Sequence, residues 1–250
     1  QIDLENGTNL QRPLPLFSGA HHPNDFEGLA FAPDGTLWGI DDGCISNYPA
    51  MFPINPGTGA GNPLQSVSFT GLQTGGHNDF GMTFTCDNSL YVTSVTTHHL
   101  YKLGLDGSVE EIGDLGANVS ISAIAAIGNP TRLYGLGNGV DDSGAADSPN
   151  LYSINTQTGL ATAIGPLGMG VTVDSYNEGG LAFASDGSLW AITDRSMTGQ
   201  TSQILSINII TGAASHVGYT NELGFESLAI APPTECQSSG SNGPGEYART

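Results

Sequence analysis

Apolar and small residues come in short runs along the whole chain, separated by turn-forming pairs, and none of the runs keeps the 3.6-residue period of an amphipathic helix. One phrase organises them. Phe26-Glu-Gly-Leu-Ala-Phe-Ala-Pro-Asp-Gly-Thr-Leu-Trp-Gly-Ile40 returns as Asn177-Glu-Gly-Gly-Leu-Ala-Phe-Ala-Ser-Asp-Gly-Ser-Leu-Trp-Ala-Ile192. Looser copies begin at Phe80 and Ile121, and a fifth, Phe225-Glu-Ser-Leu-Ala-Ile-Ala-Pro232, lies near the C-terminus. Each phrase predicts a strand of small residues, a tight turn such as Asp34-Gly35 or Asp186-Gly187, and a second strand bearing Leu-Trp or Leu-Tyr.

A second pattern follows the first four copies. Met51 to Gly59, Leu100 to Gly107, Leu151 to Gly159 and Ile204 to Gly212 each read as a strand entering a Gly turn, with a fourth strand after it. Four strands in roughly 50 residues, repeated, is the signature of β-propeller blades. The predicted fold is therefore all-β, a five-bladed β-propeller counted from inner strands near residues 27, 80, 122, 179 and 226. Gln1 to Gly7 and Arg12 to Phe17 are expected to supply outer strands to the last blade, completing it around the C-terminal inner strand and leaving no open sheet edge. Residues 1–235 are expected to form this single domain, and the Ser/Gly-rich stretch 236–250 a tail. Gly28, Gly81, Ala123, Gly180 and Ser227 match one another at the crowded axis, while Trp38, Tyr91, Tyr134 and Trp190 match on second strands and should pack between blades.

Composition narrows the partners. The 250 residues include 24 acidic and 5 basic side chains, a formal charge of -19, which excludes a basic nucleic-acid footprint and disfavours an anionic bilayer surface. No apolar run approaches the ~20 residues of a membrane-spanning helix, so membrane insertion is not expected. The chain is expected to be soluble, already processed, and secreted or extracellular; the sequons at Asn6 and Asn118 are compatible with that setting. Cys44, Cys86 and Cys236 are too few for a disulfide scaffold and lack zinc spacing. Cys86 and Cys236 fall toward the same face, and that pair is the expected bridge.

Propeller topology sorts the polar residues by face. The turns between first and second strands and between third and fourth share one face, and their Asp residues are turn chemistry. The other face gathers His21, His22, Glu27, His77, Asn78, Asp79, Glu178 and Glu226 near inner strands, with Asp41, Asp42, Asp141, Asp142 and Asp194 after second strands and His98, His99 before a third. Three readings compete. Glu27, Asn78, Glu178 and Glu226, with Asp79 nearby, offer oxygens converging on the axis, which suits calcium. Imidazoles from His21, His22, His77, His98 or His99 suit a transition metal. The third reading is a surface of solvated acids and nothing more. Catalysis would call on His77 with Asp79 as a base beside a cation, and a ligand would meet His21, His22, Asp41, Asp42, His98, His99 and Asp194.

The phrase around Phe26-Glu-Gly-Leu-Ala-Phe-Ala-Pro-Asp-Gly resembles the blade repeats of the calcium-dependent phosphotriesterase and gluconolactonase-like propellers, and shares Phe-Glu-Gly-Leu-Ala with the esterase-like phytase propellers. This resemblance implies an axial calcium ion on Glu27, with Glu226 matching through Ser227 in place of Gly and Glu178 offset by one residue. The expectation is a secreted acidic propeller that binds a small polar ligand or glycan on its His/Asp/Glu face with an axial calcium. Alternatives are a metal-dependent hydrolase or lactonase on that face, and a structural extracellular or filament subunit that self-associates or attaches through its tail. The sequence leaves turnover itself open.

Overall fold

The structure is a computed structural model that describes residues 3–5, 7, 26–42, 48–72, 78–141 and 143–230. Its strands form four antiparallel four-stranded sheets, each built from strands consecutive in sequence. The first blade holds β1 (Gly28–Phe31), β2 (Leu37–Asp41), β3 (Ala50–Ile54) and β4 (Val67–Ser68). The second holds β5 (Phe80–Phe84), β6 (Leu90–Ser94), β7 (His99–Leu103) and β8 (Val109–Asp114). The third holds β9 (Ile121–Ile127), β10 (Arg132–Gly137), β11 (Asn150–Ile154) and β12 (Ala161–Pro166). The fourth holds β13 (Gly179–Phe183), β14 (Leu189–Thr193), β15 (Gln203–Ile207) and β16 (Ala214–Tyr219). Among the described residues no helix is long and apolar enough to cross a membrane.

The all-β propeller is as expected, but the count of five blades is corrected to four. The fifth copy of the inner phrase, Phe225 to Ile230, runs along the axis without joining any sheet. The reason is visible in the chain. This copy lacks the Leu-Trp or Leu-Tyr second strand that every paired copy has, and it runs into Pro232-Pro233, which have no N–H to give to a ladder. The segment nevertheless stands between the first and fourth blades. Ser227 Oγ donates to Phe26 O at 3.3 Å, and Gly180 lies so close to Ser227 and Leu228 that a methyl group would not fit. At the N-terminus, the expected outer strand from Gln1 to Gly7 is, where described, a turn; Arg12 to Phe17 and the tail 236–250 lie outside the described residues.

That N-terminal turn copies the outer turns of the blades. Gly7 N donates to Asp3 O at 2.8 Å, as Gly159 N does to Asn155 O and Gly212 N to Asn208 O, both at 2.9 Å. The side chain at the head of each turn accepts from the residue two further on, Asp3 from Glu5 at 2.8 Å and Asn155 from Gln157 at 2.8 Å. Each such turn leans on the last strand of the preceding blade: Gly159 on Gly113, Gly212 on Gly165, and Gly7 on Tyr219.

Burial follows strand order. All of β5 is buried, whereas the outer strands β8, β12 and β16 are half-buried or exposed except at Ala214. Apolar clusters fill the spaces between blades, one joining the third to the fourth around Leu136, Tyr176, Leu181 and Phe183, another joining the first to the second around Ile40, Phe69, Phe80 and Met82. Tyr134 meets Phe183 edge-on with ring centroids 5.6 Å apart, as expected for an aromatic between blades. At the axis, Gly28 brings β1 close to β5: a Cβ there would stand 2.8 Å from Phe80 O, so the inner strands approach only because that position has no side chain.

Candidate functional site

At one end of the axis the inner strands begin, and their leading residues are acidic. Glu27 precedes β1 and Glu226 precedes the axial segment's Ser227, so both stand one residue before the close-packed position. Asp79 and Glu178 stand two residues before it, ahead of β5 and β13. Side chains in a strand alternate in direction, so Glu178 would be expected to point away from the side that Glu27 uses. Its carboxylate oxygens nevertheless lie within 4.8 Å of those of Glu27 and Asp79. Asp194 arrives from the partner strand: Gly179 pairs with Thr193, so the next residue, Asp194, lies across from Glu178, and its N–H donates to Glu178 O at 2.8 Å.

The result is a cluster in which carboxylate oxygens of Glu27, Asp79 and Glu178 lie within 4.8 Å of one another, as do those of Glu178, Asp194 and Glu226. Glu178 belongs to both groups and keeps only 9% of its surface exposed; Glu27 is 7% exposed and Asp194 1%. Burial pushes the Glu178 carboxyl up to about 11, helped by the charge of Asp79, a hydrogen bond to that side chain, and the charges of Glu226 and Glu27. With no cation at hand, Glu178 therefore holds its proton at neutral pH and shares it with Asp79.

The surrounding polar groups hold this arrangement. Asp194 Oδ1 accepts from Ser196 N at 2.8 Å and Oδ2 from Ser196 Oγ at 2.6 Å. Asn177 Nδ2 donates to Glu178 Oε1 at 3.0 Å, leaving its buried Oδ1 without a donor. In the third blade the place of Glu27 and Glu226 is taken by Ser122, whose Oγ accepts from Gly179 N at 3.3 Å. That side of the ring carries a link between blades where the others carry a charge.

The structure therefore brings together Glu27, Glu178 and Glu226 of the predicted metal ligands, with Asp79 and Asp194 from the predicted catalytic and ligand-binding sets. Asn78 is 1% exposed and its Oδ1 accepts from Ser94 Oγ at 2.8 Å and Thr96 N at 3.2 Å, so it fixes the turn between β6 and β7. Asp41 is fully buried at the end of β2 and Asp42 is half-buried just beyond it. His98 and His99 go elsewhere. His98 Nδ1 sits 3.0 Å from Val119 O, and His99 faces the outer strand, 3.5 Å from Glu111 and 3.9 Å from Asp114. Asp141 forms a turn of its own, accepting from Ser143 N at 2.9 Å and Ala145 N at 3.0 Å. His21, His22, His77 and Asp142 lie outside the described residues.

Sequence reasoning missed two features. The first is that Asp194 joins the cluster around Glu178; the signal was the register across Gly179 and Thr193, which only a paired hairpin reveals. The second is a buried cation beside the acids. Arg195 is 5% exposed, pairs with Asp174 at 3.0 Å, and lies 5.1 Å from the ring of Tyr219, whose hydroxyl donates to Asp174 Oδ2 at 2.9 Å.

No family model matches the chain, and no curated protein does. Among solved structures it is similar to the glutaminyl cyclase of Myxococcus xanthus, at 14% identity and a TM-score of 0.56, over 91% of this chain and 90% of that one. It is also similar to a gluconolactonase of Xanthomonas campestris, at 14% identity and a TM-score of 0.49 over 81% and 65% of the two chains. A third is the virginiamycin B lyase of Staphylococcus aureus, at 14% identity and a TM-score of 0.48; the chain matches over 81% of its own length and spans 59% of the lyase. These likenesses are of fold, and the first supports the propeller architecture over nearly the whole of both chains.

Proposed function

We propose that the protein is a calcium-dependent binding propeller whose axial carboxylates hold the ion and whose face presents it to a small polar ligand or glycan. The observation that carries this reading is the burial of Glu178 within reach of four other carboxylates. Like charges so close are unfavourable unless they are protonated or share a cation. The donors fit a hard ion, because every one of them is oxygen, and the orphaned Asn177 Oδ1 adds a neutral acceptor beside Glu178. Bound there, calcium would supply positive charge and open coordination positions to oxygen atoms of a ligand. The chain's own part is to fix the acids through Ser196 and Asn177 and to keep water from one side with the packed inner strands.

Among the described residues the clustered donors are all oxygen, which suits calcium better than a metal that prefers imidazole. The disulfide at Cys86 and the acidic charge fit a secreted protein. Calorimetric titration of chelator-treated protein with calcium tests the reading. Saturable binding near one ion per chain, with selectivity over magnesium, is expected; no heat and no retained calcium after dialysis would dismiss it. A glycan array read with and without chelator then addresses the ligand.

A second reading, a hydrolase or lactonase on the same face, is favoured by one feature. The Glu178 carboxyl holds a proton against Asp79, so a proton donor and an acceptor stand side by side, as general acid–base chemistry requires. Turnover on a lactone, ester and glycan panel, lost in Glu178→Gln, would select it over the binding module.

A further inference from the structure

A chamber of about 240 Å³ lies between the third and fourth blades, and among the described residues its walls include Val140, Ser175, Tyr176, Asn177, Arg195 and Met197. It adjoins the carboxylate cluster, because Asn177 lines it and donates through Nδ2 to Glu178 Oε1 at 3.0 Å, while Arg195 follows Asp194 in the chain. Its two sides are stitched together: Val140 N donates to Tyr176 O at 2.8 Å, Gly139 N to Asn177 O at 3.2 Å, and the buried Tyr176 hydroxyl to Gly137 O at 2.6 Å. The chamber is therefore a product of the fold itself.

Arg195 gives the chamber its chemistry. The side chain is 5% exposed and most of its donors are spent, Nη1 on Thr201 O at 2.9 Å and Nη2 on the side chains of Gln200 and, at 3.0 Å, Asp174. Nε is buried with no partner in the protein. A buried N–H is rarely left without an acceptor, so this one calls for an oxygen from outside the chain. That oxygen does not belong to an anion. Asp174 already offsets the guanidinium charge, and the clustered carboxylates next to the chamber repel negative charge. The other walls suit a small uncharged ring: Ser175 adds an exposed hydroxyl, and Val140 and Met197 add apolar surface. The volume falls below the roughly 300–1,000 Å³ of pockets for drug-sized ligands, so it fits one ring rather than a chain of them.

We propose that this chamber is a subsite for a neutral sugar ring, one oxygen of which accepts from Arg195 Nε while the apolar face of the ring packs on Met197. The inference rests on the reading that this face takes a small polar ligand, and it adds the place and the charge of that ligand. Nε is shielded behind the chamber wall, and Met197, which is 55% exposed, unbranched and flexible, is the wall residue that yields to admit the sugar. The chamber is built without the ion, so it binds the sugar with or without calcium.

Titration calorimetry with the methyl glycosides of glucose, galactose, mannose, xylose and fucose, and with glucuronate, gives the first test, run on calcium-loaded and on chelator-treated protein. A neutral glycoside is expected to bind in both samples, and glucuronate to bind more weakly. No binding by any neutral glycoside at tens of millimolar, tighter binding of glucuronate, or binding confined to the calcium-loaded sample overturns the proposal. Glycoside binding in a protein that takes up no calcium would dismiss the ion and leave the chamber; calcium uptake without glycoside binding would dismiss the chamber alone.

The second test is Arg195→Lys, which keeps a cation beside Asp174 and removes the Nε donor. Glycoside affinity should fall about tenfold or more, as the loss of a hydrogen bond from a charged donor implies, and unchanged affinity overturns the proposal. Should Arg195→Lys not melt cooperatively, a crystal of the unaltered protein soaked in the best glycoside decides. A sugar oxygen about 2.7–3.2 Å from Arg195 Nε is expected. A sugar bound elsewhere, or an ordered water on Nε that the sugar leaves in place, overturns the proposal.

Discussion

Gly179 N donates to Ser122 Oγ at 3.3 Å, so the hydroxyl that replaces a carboxylate in the third blade ties that blade's inner strand to the next one. Ser122 is 3% exposed, and its own N–H donates to Asn138 Oδ1 at 3.1 Å. Removing the hydroxyl would leave a buried N–H unsatisfied, at a cost of about 1–3 kcal/mol. Ser122→Ala should therefore lower the melting temperature by roughly 2–12 °C at a cost of about 2–4 °C per kcal/mol for a chain of this size. Calcium affinity should change little, because no cation ligand is lost; a large loss of affinity with unchanged stability would contradict this division of roles.

Stability of the calcium-free protein should fall as pH rises. Glu178 binds its proton more tightly folded, near 11, than unfolded, at 4.5, so the folded state is favoured most below 4.5 and loses this advantage progressively up to about 11. Urea unfolding in chelator at pH 5 and pH 8 checks it: the midpoint should be lower at pH 8, and saturating calcium should restore it. An equal or higher midpoint at pH 8 in chelator would show that Glu178 is ionised without the ion.

Replacing Glu178 by Gln mimics the protonated side chain. In the absence of calcium, Glu178→Gln should flatten the pH dependence and raise stability at pH 8, since a glutamine, unlike Glu178, takes up no proton on folding. Calcium affinity should drop tenfold or more, a loss of about 1.4 kcal/mol or greater. Opposite signs for these two effects separate a cation site from a purely structural cluster, where stability alone would move.

Calcium itself should stabilise the fold by mass action. At a hundred times the dissociation constant the gain is about 2.7 kcal/mol. That corresponds to a rise of roughly 5–11 °C in melting temperature, readable by calorimetry with and without chelator.

Gly180→Ala tests the axial segment. The added methyl would collide with Ser227 and Leu228 backbone, forcing the segment off β13 and carrying Glu226 with it. A loss of about 1–3 kcal/mol is expected from overpacking. Calcium binding should weaken as well, although no ligand has been changed.

The repeats made the blades legible because each phrase encodes a strand, a turn and a second strand in fixed order, from Phe26 to Ile40 and again from Asn177 to Ile192. The miscount arose where the phrase was cut short: Phe225 to Ile230 copies an inner strand's packing at the axis without the partner strand that makes a blade. At the site, Glu27 and Glu226 were legible from their place before the close-packed position. Asp194 was recognisable only as a residue of the correct face, since its meeting with Glu178 depends on the Gly179 to Thr193 register. His99 stands apart from the cluster for a related reason. His99 shares the face in topology, yet as the first residue of a third strand it turns toward Glu111 and Asp114 at the rim. Topology assigns a residue to a face, but strand order sets its distance from the axis.

The outer turns that lean on the preceding blade, Gly159 on Gly113 and Gly212 on Gly165, have a consequence at the other end of each sheet. The second, third and fourth blades are pinned to one another at the rim by these turns and at the hub by the inner strands, which resists an outward tilt of any one of them. The acidic opening thus behaves as an aperture of set diameter, and ions should be sorted there by size as well as by charge, with larger calcium retained where a magnesium ion of the same charge rattles.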